Sequence, residues 1–210
     1  MVPGHEFVGT IVGIDDAARQ RWGVELGDRV VSEQIVPCWT CRFCRRGQYW
    51  MCATNHIYGF SRATHGAMAE YMIYPQDALV HKVSHDLPAA HAAFAEPLSC
   101  ALHAVERATI SFEDVVVVAG CGPIGLGMIA GARAKNPAHV VALDMQPDKL
   151  DIALRCGADV AINIATEDAA AIVRGLTGGY GADVYLEASG HPSAVLQGLN
   201  LLRKLGTYVE

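Results

Sequence analysis

The chain has 210 residues, of which 51% are hydrophobic and 18% are charged. At about 150 residues per domain, this length allows one large or two small domains. The apolar fraction excludes an intrinsically disordered chain. Sixteen Lys and Arg residues against 22 Asp and Glu residues leave a net charge of −6. This acidic balance argues against nucleic acid as a partner, because phosphate binding needs a basic surface.

The N-terminal sequence has no basic region followed by an apolar segment, so we predict no secretory leader and expect a cytoplasmic location. Residues 115–132 carry no charge over 18 positions, which is about the minimum length of a membrane span. They also contain Pro123 and five glycines. These residues favour a strand, a turn and a helix over a membrane helix, so no membrane partner is expected.

The first part of the chain, to about residue 85, consists of short alternating runs and turn residues. Residues 7–14 are predicted to form a strand, and Gly27 and Asp28 a turn into a second strand at residues 29–31. Residues 66–74 alternate and stop at Pro75, which is typical of another strand. The spacing indicates a small, mostly β barrel or sandwich.

From about residue 87 the pattern changes to apolar runs that alternate with segments of helical periodicity. Alternating strands and helices predict a parallel, doubly wound sheet. A six-stranded dinucleotide-binding fold needs one strand more than this pattern contains, so we expect the natural domain to be longer. Helices are predicted at residues 98–108, 124–134, 149–156, 169–176 and 193–202, and strands at 115–119, 140–143, 160–164, 184–187 and 207–209.

Four of the seven cysteines follow one another with the spacing Cys-x2-Cys-x2-Cys-x7-Cys. Without a leader, clustered cysteines indicate metal ligands rather than disulfides. Four thiolates in one loop match the closed tetrahedron of a structural zinc. An iron–sulfur cluster and four metal-free thiols are the alternatives, although the bacterial ferredoxin motif places its fourth cysteine closer and before a proline. The predicted zinc ligands are Cys38, Cys41, Cys44 and Cys52.

A G-x-G-x-x-G sequence follows the predicted strand 115–119 and opens the next helix. In this context glycines allow a tight turn and a close approach to pyrophosphate, which the helix N-terminus binds. Asp144 is expected to accept hydrogen bonds from both ribose hydroxyls and to repel a 2′-phosphate, which favours NAD over NADP. FAD or S-adenosylmethionine is an alternative ligand. The predicted cofactor-binding residues are Gly120, Gly122, Pro123, Ile124, Gly125, Asp144 and Lys149.

A second set of candidate metal ligands is spread along the chain. His5 and Glu6 precede the first predicted strand, and Glu96 lies just before the predicted helix 98–108. An imidazole and carboxylates suit a catalytic zinc, which keeps one coordination position open. On this chemistry alone the signal is weak, because a His-Glu pair is more often a surface feature and 90 residues separate Glu6 from Glu96.

Three features occur in this order and at these intervals: G-H-E-x-x-G at residues 4–9, the four-cysteine lobe, and A-G-C-G-P-I-G followed by Asp144. Together they resemble the zinc-dependent medium-chain dehydrogenase/reductase (alcohol dehydrogenase) family over essentially the whole chain. By position, His5 resembles the histidine that binds the catalytic zinc in this family, and Glu6 resembles the glutamate next to it. Glu96, in Glu-Pro-Leu, resembles the polyol branch of sorbitol type, and residues 32–38 with 44–52 are similar to its erythritol/threitol-type members.

The resemblance implies an α/β fold with a β-rich domain. A GroES-like catalytic domain with the structural zinc lobe would occupy residues 1–95, and a Rossmann NAD-binding domain residues 96–210. His5, Glu6 and Glu96 would be the catalytic residues and hold a catalytic zinc, but which of the two glutamates binds it directly stays open. The family's first zinc ligand is a cysteine before G-H-E, which this sequence lacks. We therefore expect a fragment, incomplete at both ends, of a longer protein.

The implied activity is an NAD-dependent zinc oxidoreductase that transfers a hydride from a secondary alcohol, such as an erythritol-, threitol- or sorbitol-like polyol, to NAD⁺ and gives a ketose. The full-length protein would be a homo-oligomer, a dimer or tetramer, with a small-molecule substrate as its partner. A threonine-type dehydrogenase of the same family is one alternative, although that branch has Asp-Pro where this chain has Glu96 and Pro97. A catalytically silent, zinc-stapled nucleotide-binding fragment is the other.

Overall fold

The computed structural model describes residues 1–210 and divides into two compact units, Met1–Glu96 and Pro97–Glu210. No helix is both long and apolar enough to span a membrane. The uncharged residues 115–132 form a strand, a turn and most of a helix, as their glycines and proline predicted.

The first unit contains short strands joined by long loops. The strands are β1 (Gly9–Thr10), β2 (Arg29–Ser32), β3 (Ile35–Val36), β4 (His56–Ile57) and β5 (Val80–Val83), and the helices are α1 (Asp16–Trp22) and α2 (Ala89–Ala92). The larger sheet is antiparallel, with the order β1-β2-β5, and a separate antiparallel pair joins β3 to β4. Two 3₁₀ turns, Cys44–Arg46 and Tyr49–Met51, lie between β3 and β4.

The predicted strand at residues 66–74 is wrong, because these residues form a loop without a β-ladder. The alternation itself is real, since Met72 and Tyr74 pack against the buried cluster of this unit while Tyr71 and Ile73 are 74% and 87% exposed. A strand also needs a neighbour for its backbone N–H and C=O groups. Alternation in the sequence reports which side chains are buried, and it does not report whether such a neighbour exists.

The strand predicted at residues 7–14 is shorter in the structure. Only Gly9 and Thr10 pair with β2, although Ile11 extends the contact through hydrogen bonds to Asp28 and Gly27. The helix α1 that follows was not predicted. It begins after Asp15, whose carboxylate accepts from the Ala18 N–H at 2.7 Å, and ends at a left-handed Gly23, so both of its ends carry recognisable capping residues.

The second unit contains a five-stranded parallel sheet, which confirms the predicted doubly wound class. Its strands are β6 (Val115–Ala119), β7 (His139–Asp144), β8 (Val160–Asn163), β9 (Ala182–Glu187) and β10 (Leu202–Val209). They lie in the order β10-β9-β6-β7-β8. Its helices are α3 (Ala95–Arg107), which begins two residues before the unit does, α4 (Pro123–Ala134), α5 (Pro147–Arg155), α6 (Ala169–Leu176) and α7 (Pro192–Leu201).

Two apolar clusters cover the two faces of this sheet. Alternate residues of β6 contribute to different clusters: Val116 and Val118 pack with α3, α4 and α5, whereas Val115 and Val117 pack with α6 and α7. Both faces are therefore buried, which explains why β6 is uniformly apolar instead of alternating. Since the strand order reverses beside β6, the carboxyl ends of β6 and β9 border the crevice where such sheets bind ligands.

Candidate metal sites and nucleotide-binding loop

The four predicted zinc ligands of the lobe converge in the first unit. The sulfur atoms of Cys38, Cys41, Cys44 and Cys52 all lie within 4.8 Å of one another, and the Sγ atoms of Cys41 and Cys44 are 3.5 Å apart. Four sulfurs about 2.3 Å from one zinc would be separated by about 3.8 Å, which follows from tetrahedral geometry. The donor set and its dimensions therefore fit a closed zinc site.

The surroundings lower the thiol pKa of Cys38, Cys41 and Cys52, which favours their thiolates, and raise the pKa of Cys44. Thr40 donates to the Cys38 sulfur at 3.6 Å, and the Cys38 N–H donates to the Cys52 sulfur at 3.2 Å. Burial opposes ionisation of Cys52, but bonds from Thr54 and Cys38 outweigh it and lower the pKa to about 7. The Thr40 hydroxyl lowers the pKa of Cys38, whereas burial raises the pKa of Cys44 to about 12. Ionising Cys44 therefore needs a cation beside it, which a bound zinc would supply.

The lobe has little core of its own. Its buried residues are Ile35, Cys44 and Cys52, and the partly buried Tyr49 and Ile57 pack against them. Two of these three buried residues are zinc-ligand candidates, so most of the lobe's interior consists of the site itself. A metal would replace the apolar core that this loop lacks.

The second set of candidate ligands also comes together within the first unit. His5 and Glu6 lie in the loop before β1, Glu96 is the second residue of α3, and one ligand atom from each lies within 4.8 Å of the others. The His5 Nε2 is 4.0 Å from the Glu6 Oε1. One imidazole nitrogen and two carboxylate oxygens fit a zinc ion that keeps a position open. The structure thus joins residues that are 90 positions apart in the chain.

The glycine-rich loop follows β6 and leads into α4, the position that the sequence predicted. Gly120 has a φ of +91°, and a Cβ atom there would lie 2.7 Å from the Ser189 nitrogen. A Cβ at Gly125 would lie 1.8 Å from the Gly120 oxygen, so both positions exclude a side chain. Gly122, the N-cap of α4, has no atom within 4 Å of such a Cβ. Its open side leaves room for a phosphate group at the helix N-terminus.

Asp144 ends β7 beside this loop. Its Oδ2 accepts from the Cys121 N–H at 2.8 Å, and its Oδ1 accepts from the N–H groups of Met145 and Gln146 at 2.7 and 3.0 Å. Burial alone would raise the pKa of Asp144, but these three hydrogen bonds outweigh it and hold the pKa below its usual range. The carboxylate is therefore ionised and fixed in orientation at neutral pH.

A cavity of about 610 Å³ joins the loop to Asp144. Of the predicted cofactor-binding residues, Gly120, Gly122, Asp144 and Lys149 line this cavity, whereas Pro123, Ile124 and Gly125 are not among its lining residues. The latter three form the first turn of α4 instead.

One wall of this cavity consists of residues that were not predicted from the sequence. Ser189 and His191 line it, and both follow β9, the strand beside β6. The buried Glu187 shapes this turn by accepting from the Ser189 N–H at 2.8 Å and the Gly190 N–H at 3.1 Å. The sequence could have indicated this wall, because the polar residues after β9 lie at the same carboxyl edge of the sheet as the glycine loop.

Two family models match the chain. An alcohol dehydrogenase GroES-like domain matches residues 1–85, and a zinc-binding dehydrogenase domain matches residues 123–210. Together with the parallel sheet and the two sets of converging metal-ligand candidates, these matches define the class of protein. The chain belongs to the zinc-binding alcohol dehydrogenase family.

Several curated proteins are similar to this chain along its length. An erythritol/L-threitol dehydrogenase of Mycolicibacterium smegmatis is 72% identical over 210 residues, which are 100% of this chain and 58% of that protein. A sorbitol dehydrogenase of Halalkalibacterium halodurans is 38% identical over 99% of this chain and 59% of its own length. An L-threonine 3-dehydrogenase of Symbiobacterium thermophilum is 36% identical over 95% of this chain and 55% of its own length. The chain thus spans less than two thirds of the length of these relatives.

Solved structures share the fold. A zinc-binding dehydrogenase from Sinorhizobium meliloti 1021, bound to NADP, has a TM-score of 0.87 and 28% identity, and the match covers 98% of this chain and 59% of that one. A short chain alcohol dehydrogenase from Escherichia coli CFT073, complexed with NADH, has a TM-score of 0.84 and 26% identity. This match covers 98% of this chain and 59% of that one.

Proposed function

We propose that this chain is part of an NAD-dependent zinc dehydrogenase that oxidises a secondary alcohol of a small polyol to a ketone. The observation that carries the proposal is the grouping of His5, Glu6 and Glu96 within 4.8 Å. The overall reaction moves a hydride from the carbinol carbon to the nicotinamide and releases the hydroxyl proton to solvent. A zinc ion acts in such a site as a Lewis acid that lowers the pKa of a bound hydroxyl group.

The residues of this chain have separate tasks in that reaction. His5, Glu6 and Glu96 would hold the catalytic zinc, and Cys38, Cys41, Cys44 and Cys52 would hold a structural zinc with no open position. A site with two carboxylates is harder and more polar than one built from thiolates, which suits a hydroxyl-rich substrate. The similarity to an erythritol/L-threitol dehydrogenase at 72% identity supports a four-carbon polyol.

The cofactor would bind in the second unit. The N–H groups at the start of α4 would bind the pyrophosphate beside Gly122, and the fixed Asp144 carboxylate would accept from the ribose hydroxyls. Its negative charge would repel a 2′-phosphate, so we propose NAD⁺ rather than NADP⁺. Lys149, which lines the same cavity, would contact the adenosine ribose.

Two other functions stay open. The similarity to an L-threonine 3-dehydrogenase at 36% identity supports an amino-alcohol substrate. A silent, zinc-stapled nucleotide-binding module is the other candidate, and the cavity beside the glycine loop would serve binding without turnover. A cytoplasmic location, homo-oligomeric assembly and the lack of nucleic acid or membrane partners also remain proposals, as do the domain limits 1–95 and 96–210.

The deciding experiment measures zinc content, nucleotide binding and turnover on the purified chain. Elemental analysis should find two zinc ions per chain, one of which is lost in His5→Ala and the other in Cys44→Ser. NAD⁺ should bind more tightly than NADP⁺, and Asp144→Ser should reduce that preference about tenfold or more, which corresponds to about 1.4 kcal/mol.

Substrate oxidation then separates the candidates. Reduction of NAD⁺ with erythritol or L-threitol supports the polyol function, and reduction with L-threonine alone replaces it by the amino-alcohol function. Two zinc ions and tight NAD⁺ binding without turnover of any of these substrates would assign the silent role to this chain. A single zinc per chain, retained in His5→Ala, would contradict the proposed catalytic site.

A further inference from the structure

The backbone of residues 2–4, just before His5, contacts the backbone of residues 66–68 directly. The N–H groups of Gly66, Ala67 and Met68 donate to the carbonyl oxygens of Val2, Gly4 and Pro3 at 2.8, 3.1 and 3.0 Å. Every peptide from residue 2 to residue 4 is thus hydrogen-bonded to residues 66–68. Backbone contact this close requires glycine at the points of approach.

Two glycines supply these points of approach. A Cβ atom at Gly66 would lie 2.3 Å from the carbonyl oxygens of both Pro3 and Gly4. A Cβ at Gly59 would lie 2.7 Å from the Gly4 nitrogen and 3.0 Å from the Pro3 carbonyl carbon, and Gly59 also has a φ of +77°. Both glycines therefore face the same peptide group, the one that joins Pro3 to Gly4.

The segment that carries these glycines is itself held in place. The Gly59 N–H donates to the Thr64 oxygen at 3.0 Å, and the Thr64 hydroxyl donates to the Ile57 oxygen at 2.8 Å. Thr64 is only 3% exposed, so these bonds are shielded from water. Between the two glycines, the Phe60 ring meets the His5 imidazole edge-on at 5.2 Å between centroids. The segment from Gly59 to Met68 is thus an ordered support for the residues that precede His5.

We propose that Gly59 and Gly66 are positioning residues for the His5–Glu6–Glu96 metal site. They allow the Pro3–Gly4 peptide to pack directly against the supporting segment, and this packing fixes the direction of the His5 side chain. The inference rests on the proposed catalytic zinc site. A methyl group at residue 66 would have to push the Pro3–Gly4 backbone away by about 1 Å to reach an ordinary contact distance. Zinc–ligand distances tolerate only about 0.2 Å, so the metal site cannot absorb such a shift.

The test uses Gly66→Ala with Gly13→Ala as the matched control. Gly13 lies in the same unit, and a Cβ there meets no atom within 4 Å. Zn²⁺ affinity would be measured by equilibrium dialysis and Co²⁺ spectra would be recorded in parallel. Co²⁺ in the cysteine lobe gives intense sulfur-to-metal absorption in the near ultraviolet, whereas Co²⁺ on nitrogen and oxygen ligands gives weak visible bands. The near-ultraviolet absorption therefore reports the lobe, and the visible bands of a sample whose lobe is first filled with Zn²⁺ report the second site.

We expect Gly66→Ala to keep the lobe spectrum and the lobe zinc while the dissociation constant of the second zinc rises at least tenfold and its visible Co²⁺ bands shift or vanish. Gly13→Ala should leave both sites unchanged. Wild-type affinity and wild-type visible bands in Gly66→Ala would overturn the positioning role and leave the metal site standing. A wild-type chain that binds zinc only in the lobe would overturn both.

A second measurement needs no variant and covers the case in which Gly66→Ala does not fold, seen as loss of the lobe spectrum. Binding and positioning are reciprocal, so metal at His5 must stabilise the contacts that hold His5. In the wild-type chain, filling the second zinc site should slow hydrogen exchange of the Gly66, Ala67 and Met68 amides. The exchange of β6 amides in the other unit serves as the reference. Unchanged exchange at residues 66–68 with the site filled would overturn the proposal.

Discussion

The two units of this chain obtain their order from different sources. In the unit Pro97–Glu210, five parallel strands are buried between two apolar clusters, and 11 and 16 residues form the buried parts of these clusters. In the unit Met1–Glu96, the strands have two to four residues, and the buried clusters hold eight and three residues. A unit with so little core depends more on specific contacts and on metal ions than on burial.

This difference also separates the two kinds of site. The nucleotide loop sits at the end of a fully buried strand, where the sheet fixes its backbone. Most of the metal-ligand candidates sit in loops and short turns of the first unit, where the ion and the packing of glycine against backbone would provide the order. Metal removal and core substitutions should therefore act on different units.

The largest effect is expected from removal of the lobe zinc. Structural zinc sites of this kind contribute on the order of 10 kcal/mol of binding free energy that is coupled to folding. Cys44→Ser should therefore abolish amide protection in residues 38–57 and leave strands β6 and β9 protected, as measured by hydrogen exchange with mass spectrometry. Cys156→Ser, outside the cluster, is the control. Equal loss of amide protection in both units would contradict the separate stabilisation of the two units.

A smaller effect is expected from the core of the second unit. Leu186 in β9 is fully buried, and Leu186→Ala should lower the free energy of unfolding by about 2–5 kcal/mol because it leaves a cavity. Leu199 in α7 is 59% exposed, so Leu199→Ala should change stability by no more than about 0.5 kcal/mol. Urea unfolding checks both values. Similar losses in the two variants would mean that burial does not stabilise this unit.

The next effect depends on pH. The pKa of Asp144 is lowered from 3.8 in the folded protein, so its ionised form stabilises the fold above about pH 4, and this contribution is lost as the pH falls through the lower, folded value. Asp144→Asn should cost about 1–2 kcal/mol at pH 7, at the low end for bonds to a charged group because Asp144 is only partly buried. The difference from wild type should shrink steadily below pH 4. A stability difference that stays constant with pH would contradict the stabilising role of the ionised Asp144 carboxylate.

The smallest effect concerns a single helix end. Asp168 caps α6 by accepting from the Ala170 and Ala171 N–H groups, both at 3.0 Å. Asp168→Ala should lower the thermal unfolding midpoint and cost about 1 kcal/mol. Asp151→Ala, on the exposed side of α5, removes a carboxylate of equal charge without removing a cap. If both substitutions cost the same, the effect is one of charge and not of capping.

The sequence predicted the second unit well and the first unit poorly. Every helix and strand expected after residue 97 is present, since 3.6-residue and apolar-run patterns reflect burial against a sheet that covers both faces. The start of β10 was misplaced by five residues, because the ladder is irregular between Leu202 and Thr207. In the first unit, residues 66–74 were predicted as a strand from their alternation, but they form no β-ladder.

By itself, the sequence determined the features whose parts lie close together along the chain. The cysteine spacing defines one set of metal-ligand candidates, and the glycines after an apolar strand define the nucleotide loop with Asp144. Only the tertiary structure decided that Glu96 joins His5 and Glu6, that the turn after β9 completes the cavity, and that Gly59 and Gly66 seat the peptide before His5. Local spacing sets local geometry through the backbone, whereas contacts between distant residues depend on how whole segments pack, and no short-range pattern encodes that packing.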